Sequence, residues 1–122
     1  MSTHLLSLGA LTVMELAPDD MVSCAAEAGY ACVGLRILPA TPIEVTWPAI
    51  GDTPLVRRIE QRLADTGVRL LDIEIFRLLP ETDVAAFVPA LETGARLGAT
   101  EVLVAGNDPD PTRLAEIGRA HV

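Results

Sequence analysis

The chain has 122 residues, of which 50% are hydrophobic and 21% charged, a balance that excludes a disordered tail and allows one domain with one sizeable core. Aromatic residues make up only 3%, so the core must be built from Leu, Val, Ile and Ala, as in parallel α/β layers. The formal net charge of -8 argues against a nucleic-acid partner, which calls for a basic face.

Residues 4–13 form an apolar run that reads as a first strand, with Ser7 and Gly9 making one side small. Pro18, Asp19 and Asp20 suit a first helical turn, and Gly29 suits a left-handed C-cap. A helix over about 18–28 follows, with Met21, Val22, Ala25, Ala26 and Ala28 as its apolar side. Residues 31–38 read as the second strand. Val33, Leu35 and Ile37 share one parity, and Cys32, Gly34 and Arg36 share the other, because successive strand side chains point to opposite faces.

Residues 39–51 hold three prolines and the only tryptophan. The stretch is too long and too rich in proline for a simple turn, and loops of this kind often carry function. Trp47 either stacks on a sugar ring or covers a helix. Asp52-Thr53-Pro54 starts the next helix, in which Leu55, Val56, Ile59 and Leu63 repeat at helical spacing and which Gly67 ends.

Residues 69–79 read as the third strand, and its pattern is the most informative in the chain. Leu71, Ile73 and Ile75 share one parity; Leu70, Asp72, Glu74 and Phe76 share the other. The first set is expected beneath helices, and the second places two carboxylates two residues apart on the opposite face. A further helix begins near residues 82–83 and ends at Gly98, with Val84, Phe87, Leu91 and Ala95 inward and Pro89 kinking it or delaying its regular part. Residues 100–105 form the fourth strand, Gly106-Asn107-Asp108 lies at its C-terminal end, and a fourth helix spans 109–116 with Thr112 or Asp110 as cap.

Strand and helix thus alternate throughout, which implies a parallel sheet covered by helices. Three segments, AEAGYACVGL, LADTGVRLLD and ARLGATEVLV, repeat the order helix end, glycine, strand, as in repeated βα units. Neither GxGxxG nor GxxxxGK[ST] occurs. Cys24 and Cys32 fit a reduced, buried pair, without zinc-ligand spacing. No signal-peptide pattern and no apolar run of ~18 residues is present, so a cytoplasmic protein without a membrane partner is expected.

If the second and third strands are neighbours, Arg36 meets Glu74 or Asp72. Two readings stand side by side: an ion pair that holds the sheet's end together, and a grip on an anionic or polyhydroxylated substrate through the donor fork of the guanidinium.

The segments AAEAGYACVGLR, TGVRLLDIE and LETGARLGATEVLV resemble the N-terminal half of the sugar phosphate isomerase/epimerase family, whose members have the xylose-isomerase-like TIM barrel. The resemblance covers residues 5–116 and rests mainly on scaffold positions. It departs at Gly34, where many members carry glutamate, while Arg36 is retained. It implies an α/β fold, a partial (β/α)8 TIM barrel of about four parallel strands. It also implies a divalent metal (Mn, Mg or Zn) in the full-length parent, held by acids and histidines on strands beyond this chain, and proton transfer next to a sugar carbonyl with carboxylates as acid and base.

A complete barrel needs about 250 residues and eight βα units. Residues 117–122 resemble a translation of ATC GGA AGA GCA CAC GTC, a stretch of a common sequencing adapter, so a non-native tail is expected there and His121 is not expected to be a ligand. Within the resemblance, active sites lie at the C-terminal ends of strands. Arg36, Glu74 and Asn107 are therefore the expected substrate-binding residues, Asp72 lies deeper as a structural acid, and His4 lies at the wrong end of its strand. No metal ligand is expected in this chain, catalytic residues are expected beyond it, and the chain itself is expected to be inactive. The partner is a small sugar or sugar phosphate, with homo-oligomerisation left open. Two other readings remain: a non-catalytic polyol-binding or assembly domain, and an abasic-site endonuclease-like barrel, against which the acidic charge weighs.

Overall fold

The computed structural model describes residues 4–119. Its strands are β1 (Ser7–Leu8), β2 (Cys32–Arg36), β3 (Arg69–Leu78) and β4 (Glu101–Gly106), and its helices are α1 (Pro18–Glu27), α2 (Pro54–Thr66), α3 (Val88–Arg96) and α4 (Pro111–Arg119). The four strands form one sheet in the order β1-β2-β3-β4. Every pairing is parallel. Parallel neighbours need a crossover connection, and each helix between two strands supplies one.

Local chemistry explains the helix limits. Pro18 and Pro54 sit in the first turns of α1 and α2, where the missing N–H is no loss. Thr53 caps α2 by accepting from the Val56 N–H at 3.1 Å, and Gly67 closes it at φ 76°, a left-handed conformation that costs a Cβ-bearing residue about 1 kcal/mol or more. Pro89 delays the regular helix, as expected: residues Val84–Phe87 form a 3₁₀ turn and α3 starts at Val88. That delay shifts the helix phase. Phe87 and Leu91 pack against the core, but Ala95 is exposed, and Ala90, Thr93 and Gly94 are buried in its place.

One core lies between one sheet face and the helices. Val33, Leu35 and Ile37 from the β2 region join Met21, Val22 and Ala25 of α1, Leu55, Val56 and Ile59 of α2, and Ala90 of α3. At ~25 cal/mol per Å² of apolar area removed from water, such burial is the main favourable contribution to folding. Outside the core, ion pairs pin the helices together. Asp19 meets Arg58 at 3.1 Å and Arg62 at 3.6 Å between α1 and α2, and Arg96 joins Glu60 at 3.1 Å between α3 and α2.

Two strands depart from their expected pattern. The first strand is two residues long rather than spanning 4–13, because the chain turns at Gly9, whose carbonyl accepts from Thr12 N–H at 3.1 Å, into a 3₁₀ turn over Ala10–Val13. The parity of β3 is also not continuous. Leu70 and Ile73 both enter the core, as does Phe76, whereas Leu71 and Ile75 do not. Leu71 is the extra residue between the pairs Val33↔Leu70 and Gly34↔Asp72, and Glu74 with Ile75 stands against a single β4 residue between Ile73↔Val102 and Phe76↔Val104. Each bulge inserts one residue and so reverses the alternation.

β4 is an edge strand, and Val102, Leu103 and Val104 on it are each nearly half exposed. Asp110 caps α4 by accepting from Thr112 N–H at 3.0 Å. The expected start of this helix at 109 moves to Pro111, and it runs through residues 117–119 to Arg119; His121 and the rest of the expected tail lie outside the described residues. Among the described residues, no helix is long and apolar enough to cross a membrane.

Candidate functional site

The two bulges bracket the acid pair and keep it off the core. In register, Asp72 lies beside Gly34 and Glu74 beside Arg36, so these four positions share the sheet face opposite the helices. The lack of a side chain at Gly34 makes room for the Asp72 carboxylate, which a Cβ at this position would displace. Arg36 is the last residue of β2, so the charged pair sits where β2 stops while β3 and β4 continue beyond it.

Arg36 and Glu74 meet as expected. Both the Nε and Nη2 of Arg36 donate to Glu74 Oε2, at 3.1 and 2.6 Å. The third partner comes from the proline-rich loop: Arg36 Nη1 donates to Glu44 Oε1 at 2.6 Å, and the Ala40 N–H donates to Glu44 Oε2 at 2.8 Å. The three side chains are little exposed, 13% for Arg36, 14% for Glu44 and 8% for Glu74. Burial alone would lower the Arg36 pKa, but the hydrogen bonds and charges of Glu74 and Glu44 outweigh it and hold the guanidinium above its usual value.

Asp72 behaves differently. Burial first, and then the charges of Glu74 and Glu101, push its carboxyl above the ordinary range, against a hydrogen bond from its own backbone amide. It is a carboxyl that holds its proton to higher pH than a free one does.

Asn107 does not join this cluster. It follows β4, whose last residue is in register with Leu78, four positions beyond Glu74 and so ~13 Å along the strand at ~3.3 Å per residue. Its Oδ1 accepts from Arg77 Nη1 at 2.8 Å. Arg77 in turn donates through Nε to the Ala40 carbonyl at 2.6 Å. A hydrogen-bonded line thus runs from Asn107 through Arg77, the residue 40 backbone and Glu44 to Arg36 and Glu74. Asp108 is no part of it, since its carboxylate accepts from Arg113 and from the Asp110 N–H at the start of α4.

A cavity of about 460 Å³ opens beside the cluster, between residues 10–18 and loop residues 44–47. Met14, Leu16, Val45 and Trp47 give it apolar walls; Arg36, Glu44 and Glu15 give it charge. Trp47 is half-buried, packs against the core and also lines this cavity. Sequence reasoning did not single out Glu44 or Arg77. A signal for Glu44 existed, since it is the only charged residue in residues 39–51; Arg77 carried none beyond its place near the end of a strand.

Among the described residues, no group of three or more His, Cys, Asp or Glu side chains could hold a metal ion. The hydrogen bonding agrees, since Glu74 and Glu44 are committed to Arg36. No protein-family model matches the chain, and no curated protein matches it.

Proposed function

We propose that this chain forms the N-terminal part of a (β/α)8 barrel of the sugar phosphate isomerase/epimerase type, with Arg36 and Glu74 in the substrate-binding wall at the C-terminal ends of its strands. The observation that carries the reading is the placement of that pair: two opposite charges on adjacent parallel strands, on the face away from the helices, beside a cavity of about 460 Å³. In barrels of this kind binding groups gather at that end. Arg36 presents its remaining N–H donors and Glu44 its acceptor oxygens to ligand hydroxyls, and Trp47 offers an apolar surface to the less polar side of a sugar.

Proton transfer beside a carbonyl is the reaction class proposed for the parent enzyme. A divalent metal would stabilise the developing oxyanion charge there, but the described residues do not fit one. Arg36 holds the ligand with Glu74 fixing its guanidinium from behind, Asn107 stands apart from the cavity, and these groups turn nothing over alone. A non-catalytic polyol-binding role is favoured by the same feature that quiets the site, the pairing of Glu74 Oε2 with two Arg36 nitrogens.

Trp47 is the only tryptophan, so its emission reports the cavity directly. Titration with ketoses should shift that emission saturably, and Arg36→Lys, which loses the planar fork, should weaken binding by about tenfold. Unchanged emission across a ketose panel sinks the reading. Metal-dependent turnover of a ketose by the chain alone would overturn its assignment as a binding part without chemistry.

A further inference from the structure

We propose that Glu44 is a specificity residue that closes Arg36 to phosphate and leaves the cavity to uncharged, hydroxyl-bearing ligands. The inference deepens the binding site described above and rests on that cavity, but its central test does not require a sugar.

A guanidinium recognises phosphate by presenting two parallel N–H groups along one edge. Arg36 has no such edge free. Nε and Nη2 both point to Glu74 Oε2, and Nη1 is taken by Glu44 Oε1. Glu74 belongs to a central strand and is buried, so its half of the fork is permanent. Glu44 belongs to a loop whose neighbours Ile43 and Val45 are 94% and 72% exposed; its side chain reaches inward while theirs do not.

Charge points the same way. Arg36 is the only cation among the residues lining the cavity, against Glu15 and Glu44 in the lining and Glu74 behind it. Two negative charges are therefore in excess. An arriving phosphate monoester meets repulsion from Glu15 and Glu44 and finds no vacant fork, whereas a hydroxyl can donate to Glu44 and accept from a remaining Arg36 N–H. Glu44 also holds itself in place, since Oε2 accepts from the Ala40 N–H and its own N–H donates to the Thr41 carbonyl at 3.2 Å. It needs no ligand to adopt the closed arrangement.

The experiment compares wild type with Glu44→Gln, which keeps the side chain's shape and removes its charge. Inorganic phosphate is titrated into each, followed by the Arg36 side-chain Nε–H resonance and by the rise in melting temperature that binding to the native state produces. Wild type should show no saturable response, and Glu44→Gln should bind phosphate at least ~10-fold more tightly, because the repelling charge is gone and a neutral amide oxygen yields the guanidinium edge to phosphate more readily than a carboxylate does. A neutral ketose and its phosphate monoester are then titrated in parallel, and the variant should narrow the preference for the neutral sugar. Equal phosphate affinity in both proteins, or no phosphate binding by the variant, overturns the assignment. If neither protein binds ketose while the variant gains phosphate, the sugar reading falls and the role of Glu44 stands.

Discussion

Replacing Arg36 by Leu tests the electrostatic design of the site most directly. The change removes three hydrogen bonds at once and leaves Glu74, at 8% side-chain exposure, without its cation. Removing one partner of a buried ion pair costs ~3–5 kcal/mol because the remaining charge is stranded away from water. Glu44 lies on a loop and can turn out to solvent, so its share is small and the expected loss is about 3 kcal/mol, at the lower end of that range. Against a domain stability of ~5–15 kcal/mol, that is a large fraction.

Urea unfolding followed by far-UV circular dichroism measures it as a lower midpoint at unchanged slope. The double variant Arg36→Leu/Glu74→Leu should recover most of the loss, since replacing both members of a buried pair by apolar groups is often neutral. A single-variant cost below ~1 kcal/mol, the range of exposed pairs, would refute the account. So would a double variant as unstable as the single one, because the penalty would then come from lost packing rather than from a stranded charge.

Two further outcomes follow from the same geometry. The Asp72 carboxyl is held above its ordinary 3.8 in the folded state, so the native chain binds more protons than the unfolded one and stability falls as pH rises through that window. Asp72→Asn should abolish this slope and be at least as stable as wild type at neutral pH, which thermal unfolding between pH 3 and 7 checks. The reverse sign applies to Asp108, whose carboxyl Arg113 holds below the usual range. The stability it contributes is present above the unfolded-state value and lost as pH falls below it, and Asp108→Asn should speed amide exchange in α4 while leaving β2 and β3 unchanged.

Much of the fold was legible because it is written locally. The alternation of strand and helix, the caps at Thr53 and Gly67 and the delay at Pro89 each depend on a few adjacent residues, and each appears where the residue types place it. What was not legible depends on partners. β1 is short because only Ser7 and Leu8 find register with Cys32 and Val33, although the residues around them are equally apolar. The bulges at Leu71 and at Glu74-Ile75 exist only relative to neighbouring strands, and no periodicity within β3 announces them. Strict parity still gives the acids their observed face, because both lie between the two reversals, whereas Leu70 and Phe76 lie outside them and enter the core against it.

The site divides along the same line. Arg36 and Glu74 could be paired from parity and strand order alone, but Glu44 and Arg77 enter through a loop whose path is set by long-range hydrogen bonds. Burial holds only the later part of that loop, where Trp47, Ala49 and Ile50 pack against the core, while Ile43 and Val45 are exposed. Its other anchors are polar: Arg77 to the Ala40 carbonyl at 2.6 Å, Arg36 to Glu44 at 2.6 Å, Thr53 Oγ1 to the Pro48 carbonyl at 2.6 Å, and the Gly51 N–H to Thr93 Oγ1 at 2.8 Å. Hydrogen bonds to charged groups are worth ~1.5–3 kcal/mol each, more than neutral ones, so the two arginines dominate the set. One of them, Arg36, also lines the cavity. A ligand that competes for its donors therefore competes with the loop's own attachment, and occupancy of the cavity and the position of residues 40–47 cannot vary independently.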